Sequence, residues 1–162
     1  MILPAIESAR RSILITNPYF VPDGQLTDAL IRAVARGVRV VVLVPGAIDH
    51  NLVRMASRHT YGRLLAAGVE IDEYLPALLH AKTMVIDDAW ATVGTTNFDG
   101  RSLRLNREVN VACYDRGVAR RLAAIFAEDL LHARRVTLEG WRARPLSQRL
   151  LEFLAWPLRD QL

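Results

Sequence analysis

Residues 38–45, VRVVVLVP, run almost without a polar side chain. Side chains along a strand alternate between its two faces, so a run that is apolar on both must be covered on both. This excludes a surface strand and asks for a sheet held between two layers. The neighbouring segments supply them. SILITNPYF (12–20) is a second short β-branched run, closed by Pro18, with Pro22 and Gly24 beyond. QLTDALIRAVAR (25–36) sets Leu26, Ala29, Leu30, Ala33 and Val34 at helical spacing, and Gly37 stands where a left-handed residue ends a helix. A further helix is predicted over about 50–67, with Asp49 as N-cap and Gly68 as its stop. VEIDEYL (69–75) then reads as another strand. Strand, helix, strand, helix and strand between 12 and 75 predict parallel pairing through right-handed crossovers.

After residue 75 the rhythm changes. LHAKTMVID (79–87), WATVGTTN (90–97) and REVNVACYD (107–115) read as strands in quick succession, the first two joined at Asp88-Ala89. GVARRLAAIFAEDLLHARRV (117–136) reads as a long amphipathic helix with Val118, Leu122, Ile125, Phe126 and Leu130 on one face. At 162 residues the chain accommodates one ordinary domain. Its organisation is read as a catalytic half-domain over 1–136 and a basic amphipathic helical tail over 137–162.

The formal charge of +4 suits partners that carry phosphate. One cysteine, Cys113, leaves no intrachain disulfide and fits a reducing compartment. MILPAIESARRS has no apolar core long enough for a signal peptide, and no window approaches the roughly 20 apolar residues that span a bilayer. A cytoplasmic protein, soluble or peripheral, is expected. Of the 21 basic residues, 20 are arginine and one, Lys82, is lysine, two residues after His80. On a strand these two project together, while Asp87 falls on the opposite face or at the strand end. Thr95 and Asn97 share a face on the next strand, and Glu108 sits near the start of the one after. Converged, this set suits phosphoryl chemistry without a metal or cofactor. Imidazole attacks phosphorus or protonates a leaving alkoxide. An ammonium and an amide hold the non-bridging oxygens, and a carboxylate fixes the imidazole tautomer. A compact ammonium fits a phosphoryl group where the planar guanidinium fork demands more room. No His/Asp/Glu cluster has metal-ligand spacing.

The full spacing is H80-x-K82, four residues, D87, six residues, G94-T-T-N97, and on through D99-G-R101-S102 to L-N-R-E108. It resembles the phospholipase D superfamily, whose signature is HxKxxxxD, six residues and GSxN; Thr95 stands where serine is usual and keeps the hydroxyl. The resemblance implies a phospholipase D-like α/β half, a mixed sheet flanked by helices on both faces. It also implies His80 as the phosphohistidine nucleophile or the partnering general acid. Lys82 and Asn97, with Thr95, become phosphate ligands, Glu108 the carboxylate that orients His80, and Asp87 a motif member with a mainly structural role. NPYFVPDGQLTDALIRAVARGVRVVVLVPG, VGTTNFDGRSLRLNREVNV and GWRARPLSQRLLEFL are similar to the C-terminal half of bacterial cardiolipin synthases. That likeness implies phosphatidyl transfer from a phosphatidylglycerol-like phospholipid through a phosphatidyl-histidine.

Such synthases carry two motifs, and this sequence carries one. His50, His59 and His132 are not followed by lysine two residues on. The chain therefore holds half a site, completed by a second HxKxxxxD half from a homodimer or a separate chain, or it is an inactive fragment. Origin as a synthase C-terminal half makes His80 the acid. A nuclease is disfavoured, because no basic stripe interleaved with aromatics is present. Tyr19 and Phe20 are read as core or loop packing. From Trp141 to Leu158 the tail carries Arg142, Arg144 and Arg149 beside Leu146, Leu150, Phe153 and Leu154 in one stripe, with Trp156 near its end. It is expected either to pack this stripe on the domain with the arginines facing water, or to lie on an anionic membrane surface, the inner face of the cell membrane.

Overall fold

The valine-rich run forms strand β2 (Arg39–Pro45), and every residue after Arg39 is buried. The structure, a computed structural model, describes residues 1–46, 51–145 and 148, and at 51–57, 59, 103 and 104 the backbone alone. Strands β1 (Ser12–Thr16) and β3 (Glu70–Tyr74) pair with β2 in parallel on either side. Helix α1 (Ile2–Ser8) precedes β1, and α2 (Gly24–Ala35) and α3 (Asn51–Ala66) make the two crossovers. The strands β4 (Thr83–Ile86), β5 (Trp90–Gly94) and β6 (Asn110–Cys113) add antiparallel pairs beyond β1. With β7 (Ala133–Val136) against β3, the seven-stranded order is β6-β5-β4-β1-β2-β3-β7.

Alternation along β2 sorts the two cores. Val40, Val42 and Val44 join Ile13, Ile15 and Ile71 under α1, α2 and α3. Val41 and Leu43 point the other way, onto Phe126 of helix α5 (Arg116–Leu130). The mixed sheet with helices on both faces is therefore as expected. Asp23 caps α2 by accepting the Leu26 N–H at 2.9 Å, and Gly37 and Gly68 close α2 and α3 with φ of 88° and 94°. The predicted N-cap Asp49, like His50, lies outside the described residues.

Four boundaries differ from expectation. His80 and Lys82 precede β4 instead of lying on it. Thr83 faces Thr16, the last residue of β1, and beyond it Asn17-Pro18 cannot continue the ladder. Thr95 and Asn97 likewise lie past the end of β5, and a helix, α4 (Gly100–Arg104), separates β5 from β6, capped by Asp99 accepting from Ser102 N at 2.6 Å. The helix expected to reach 136 stops at Leu130. Arg134 and Arg135 instead enter β7, where they meet the buried carboxylates of Glu73 and Asp72, each at 2.6 Å. The start of the expected tail, α6 (Leu138–Arg142), docks on α3. Trp141, expected at a lipid surface, is 7% exposed. Its ring lies 5.4 Å from that of Tyr61, over Gly62, where a Cβ would come within 3.0 Å of the indole nitrogen. The remainder of the expected tail, Gln148 apart, lies outside the described residues.

The β4–β5 turn is centred on Asp87 and Asp88, one residue earlier than expected, with φ of 55° and 54° at both central positions, as a type I′ hairpin demands. The Asp87 carboxylate accepts the backbone N–H groups of Arg10, Arg11 and Ser12 at 2.7–2.9 Å and so pins the α1–β1 link. Burial opposes its ionisation, yet those three donors and the Arg11 guanidinium outweigh burial and hold its pKa below the ordinary aspartate value. A depressed folded-state pKa means stability that is fully present above the ordinary pKa of about 4 and lost as pH falls through the folded value. Asp87→Asn, which tolerates the positive φ, is therefore expected to cost about 1–2 kcal/mol at pH 7, shrinking towards pH 2, in urea denaturation followed across pH.

Candidate active site

The four residues between Lys82 and Asp87 are strand β4. His80 and Lys82 emerge at one end of that strand and Asp87 closes the other, so the motif's spacing is the length of one strand. Asp87, grouped with the catalytic residues from sequence, lies in the turn at the far end and serves the scaffold. The His80–Lys82 end coincides with the carboxyl ends of β1 and β2, where open α/β sheets place their ligands.

Gly94 sets the other wall. Its N–H donates to the Lys82 carbonyl at 3.1 Å, and it faces Asn110 across the β5–β6 ladder. A Cβ here would sit 1.9 Å from Asn110 Oδ1 and 2.4 Å from the Val109 carbonyl, so only glycine lets the two strands close. The closure sets Thr95 against Val109: Thr95 N donates to Val109 O at 2.9 Å, and Val109 N donates to Thr95 Oγ1 at 3.0 Å. The Thr95 hydroxyl then donates to Glu108, whose other oxygen accepts from Asn106 Nδ2 at 3.2 Å.

Side chains invisible to the motif hold the loops together. Asn17, 1% exposed, accepts the N–H groups of Tyr19 and Phe98 at 3.2 Å each and donates to the Thr96 carbonyl at 3.3 Å. Asn110 Nδ2 donates to Thr96 Oγ1 at 2.5 Å. The one sequence signal for Asn17 is its place between the end of a strand and a proline. Phe20 is core, 1% exposed and paired with Phe98 as expected. Tyr19 instead meets the His80 ring edge-on, with centroids 6.2 Å apart and planes at 83°.

His80, Lys82, Thr95 and Asn97 line one pocket of about 460 Å³ with Thr83, Val93 and Gly94. Lys82 Nζ lies 3.2 Å from His80 Nδ1 and 3.4 Å from Nε2, and it donates to the His80 carbonyl at 3.1 Å. Burial pushes the Lys82 pKa below the ordinary lysine value, and the Glu108 charge pulls it back. The Thr95 hydrogen bond, with Asn106, Ser102 and the Lys82 charge, holds Glu108 below the ordinary glutamate value despite desolvation. Glu108 was expected to orient His80. Its oxygens are engaged by Thr95 and Asn106, and it reaches Lys82 through charge, while His80 is positioned by Lys82 and Tyr19. Asn97 Oδ1 is buried without a hydrogen-bond partner among the described residues, an open valence beside the pocket. Among the described residues no three His, Cys, Asp or Glu side chains are grouped to hold a metal ion. The arrangement presents an imidazole, an ammonium and an amide to a tetrahedral anion.

The family described as cardiolipin synthase, PLD-like domain, matches residues 2–130. The major cardiolipin synthase ClsA of Bacillus subtilis is 46% identical over 147 residues, which is 91% of this chain and 30% of that protein. Cardiolipin synthase A of Erwinia tasmaniensis is 41% identical over 153 residues, 94% of this chain and 32% of that one. The chain thus spans about a third of the length of the curated relatives it matches. Among solved structures, the phospholipase D family member Nuc from Salmonella typhimurium superposes with TM-score 0.73 at 20% identity, covering 84% of this chain and 88% of that one. Phosphatidylserine synthase from Haemophilus influenzae gives 0.77 at 15% identity, covering 99% and 42%. At such identities these two likenesses speak to the fold.

Gly94→Ala is expected to destabilise the protein by about 1–3 kcal/mol and to part Thr95 from Glu108. Gly24→Ala, with nothing within 4 Å of the new methyl, is the tolerated control. Thermal denaturation with amide NMR of Thr95 and Val109 checks both.

Proposed function

Because the chain belongs to the cardiolipin synthase, PLD-like domain family, we propose that it supplies one half of a phosphatidyltransferase active site working through a phosphohistidine intermediate. The convergence of His80, Lys82, Thr95 and Asn97 on one pocket carries this reading. A phosphatidylglycerol-like donor places its phosphodiester there, with Lys82 and Asn97 on the non-bridging oxygens. A histidine of the partner half attacks phosphorus. The P–O bond to glycerol breaks as the P–N bond forms, and His80, as general acid, protonates the departing alkoxide. The acceptor alcohol then gives its proton to His80, attacks phosphorus and frees the histidine. The second HxKxxxxD half comes from a second copy or a separate chain.

Among the described residues no helix is long and apolar enough to cross a membrane. We place the protein peripherally on the inner face of the cell membrane, with the apolar stripe of Leu146, Leu150, Phe153 and Leu154 beyond Pro145 against the membrane surface. One observation favours a second reading, a homodimeric single-motif phosphodiesterase: this chain and Nuc cover 84% and 88% of each other. Sedimentation of the isolated chain as a dimer that cleaves phosphodiesters, without a partner chain, would select it.

His80→Ala and Lys82→Arg are each expected to lower phosphatidyl transfer by about 10²–10⁴-fold, in the assembly that turns over labelled phosphatidylglycerol, with circular dichroism unchanged. Near wild-type rates for Lys82→Arg would remove the positioned role of the ammonium. In co-sedimentation with anionic liposomes, a chain ending at Pro145, which lacks the apolar stripe, is expected to bind several-fold less than the intact chain, the loss persisting in added salt.

A further inference from the structure

Helix α5 crosses its face of the sheet on a diagonal. Near its start Ala119 packs on Val85 of β4 and Ala91 of β5, and further on Phe126 and Leu130 join Val41, Leu43 and Tyr74 of β2 and β3. Among the described residues the diagonal leaves one corner bare, the ends of β5 and β6 that border the pocket. There Val93 and Val111 face each other across the ladder, on the side that Val85 and Ala91 occupy further along. They are 47% and 68% exposed, and Val109, opposite Thr95, is 69% exposed. Single exposed valines are ordinary. These three are contiguous, and the row opens out of the pocket itself, because Val93 lines it together with His80, Lys82 and Asn97.

We propose that this row is an acyl-chain subsite, over which the hydrocarbon of a phospholipid runs while its phosphodiester sits against Lys82 and Asn97. The inference rests on the phospholipid reading above and assigns the apolar part of that substrate a place. The glycerol carbons separate phosphate from acyl ester by only a few bonds, so a lipid seated by its phosphate has to send a chain out along one wall of the pocket. The wall through Val93 is apolar and leads to two more valines. Three valines fall well short of the roughly 800 Å² per partner that a stable protein interface needs, whereas a methylene chain is matched by one row of side chains.

The test titrates the intact chain with two soluble probes, monomeric dihexanoyl-phosphatidylglycerol and glycerophosphoglycerol, the same head group without acyl chains. The wild type should bind the acylated probe about tenfold more tightly. Val111→Ser should reduce that advantage to about threefold or less and leave glycerophosphoglycerol binding unchanged. Equal affinity of the wild type for both probes, or an undiminished advantage in the variant, overturns the subsite while leaving phosphodiester binding in place. Failure of both probes to bind the wild type overturns the phosphodiester reading, and this inference with it. A variant that sediments as a smaller species than the wild type assigns the row to contact between copies and overturns the subsite.

Discussion

A strand that carries no polar side chain on either face beyond its first residue cannot rest at a surface, and β2 imposes that condition on everything around it. Fully burying a valine or leucine is worth about 1.5–3 kcal/mol, and the gain is realised only if helices cover both sides. Helices α1, α2 and α3 cover one side and α5 the other. With both faces committed, the polar work of the molecule is left to the sheet's ends and edges. The parallel strands end together at Thr16 and Pro45, and the pocket opens beside the end of β1.

The two ends of β4 are held by the same device, a buried or half-buried side chain that collects backbone groups from distant segments. At one end Asp87 gathers the N–H groups of residues 10–12. At the other Asn17 ties residues 19, 96 and 98, while Asn110 secures Thr96. Backbone groups in such places must be satisfied, and a side chain that satisfies two or three fixes the relative position of loops that no ladder joins. The catalytic geometry proposed here depends on those ties as much as on the residues facing the pocket, since sub-ångström placement decides whether donors reach a phosphoryl oxygen.

Arginine and lysine divide the charge work by shape. Arg39 meets Glu70 with two nitrogens at 2.7 and 3.0 Å, and Arg135 spans Asp72 and Glu70. These forked contacts use the planar guanidinium to clamp β3 to its neighbours on both edges. Among the described residues, no carboxylate is in direct contact with Lys82. Its ammonium sits against the His80 ring and carbonyl, partly desolvated, with the Glu108 charge acting on it through space.

Much of this was legible in the chain alone. The two-sided apolar run, the helical spacing over 25–36 and Gly37 dictate the parallel βαβ core, because periodicity and φ > 0 are local properties. The spacing from His80 to Glu108 marks the family for the same reason, since residues joined by one strand and one tight turn have few places to go. Strand limits were not legible, because a strand ends where its partner ends: Asn17-Pro18 curtails β4 from 66 residues away. Residues 133–136 read as helix until the carboxylates of Asp72 and Glu73 are seen beside them, and Trp141 reads as a membrane contact until Gly62 opens a seat for it. The hydrogen bonds of Glu108 to Thr95 and Asn106 were not legible either, because both depend on how the loops after β5 and α4 fold back on each other. The bare corner at Val93 and Val111 follows from the diagonal of α5. That angle is set by packing across most of the sheet, and no window of sequence contains it.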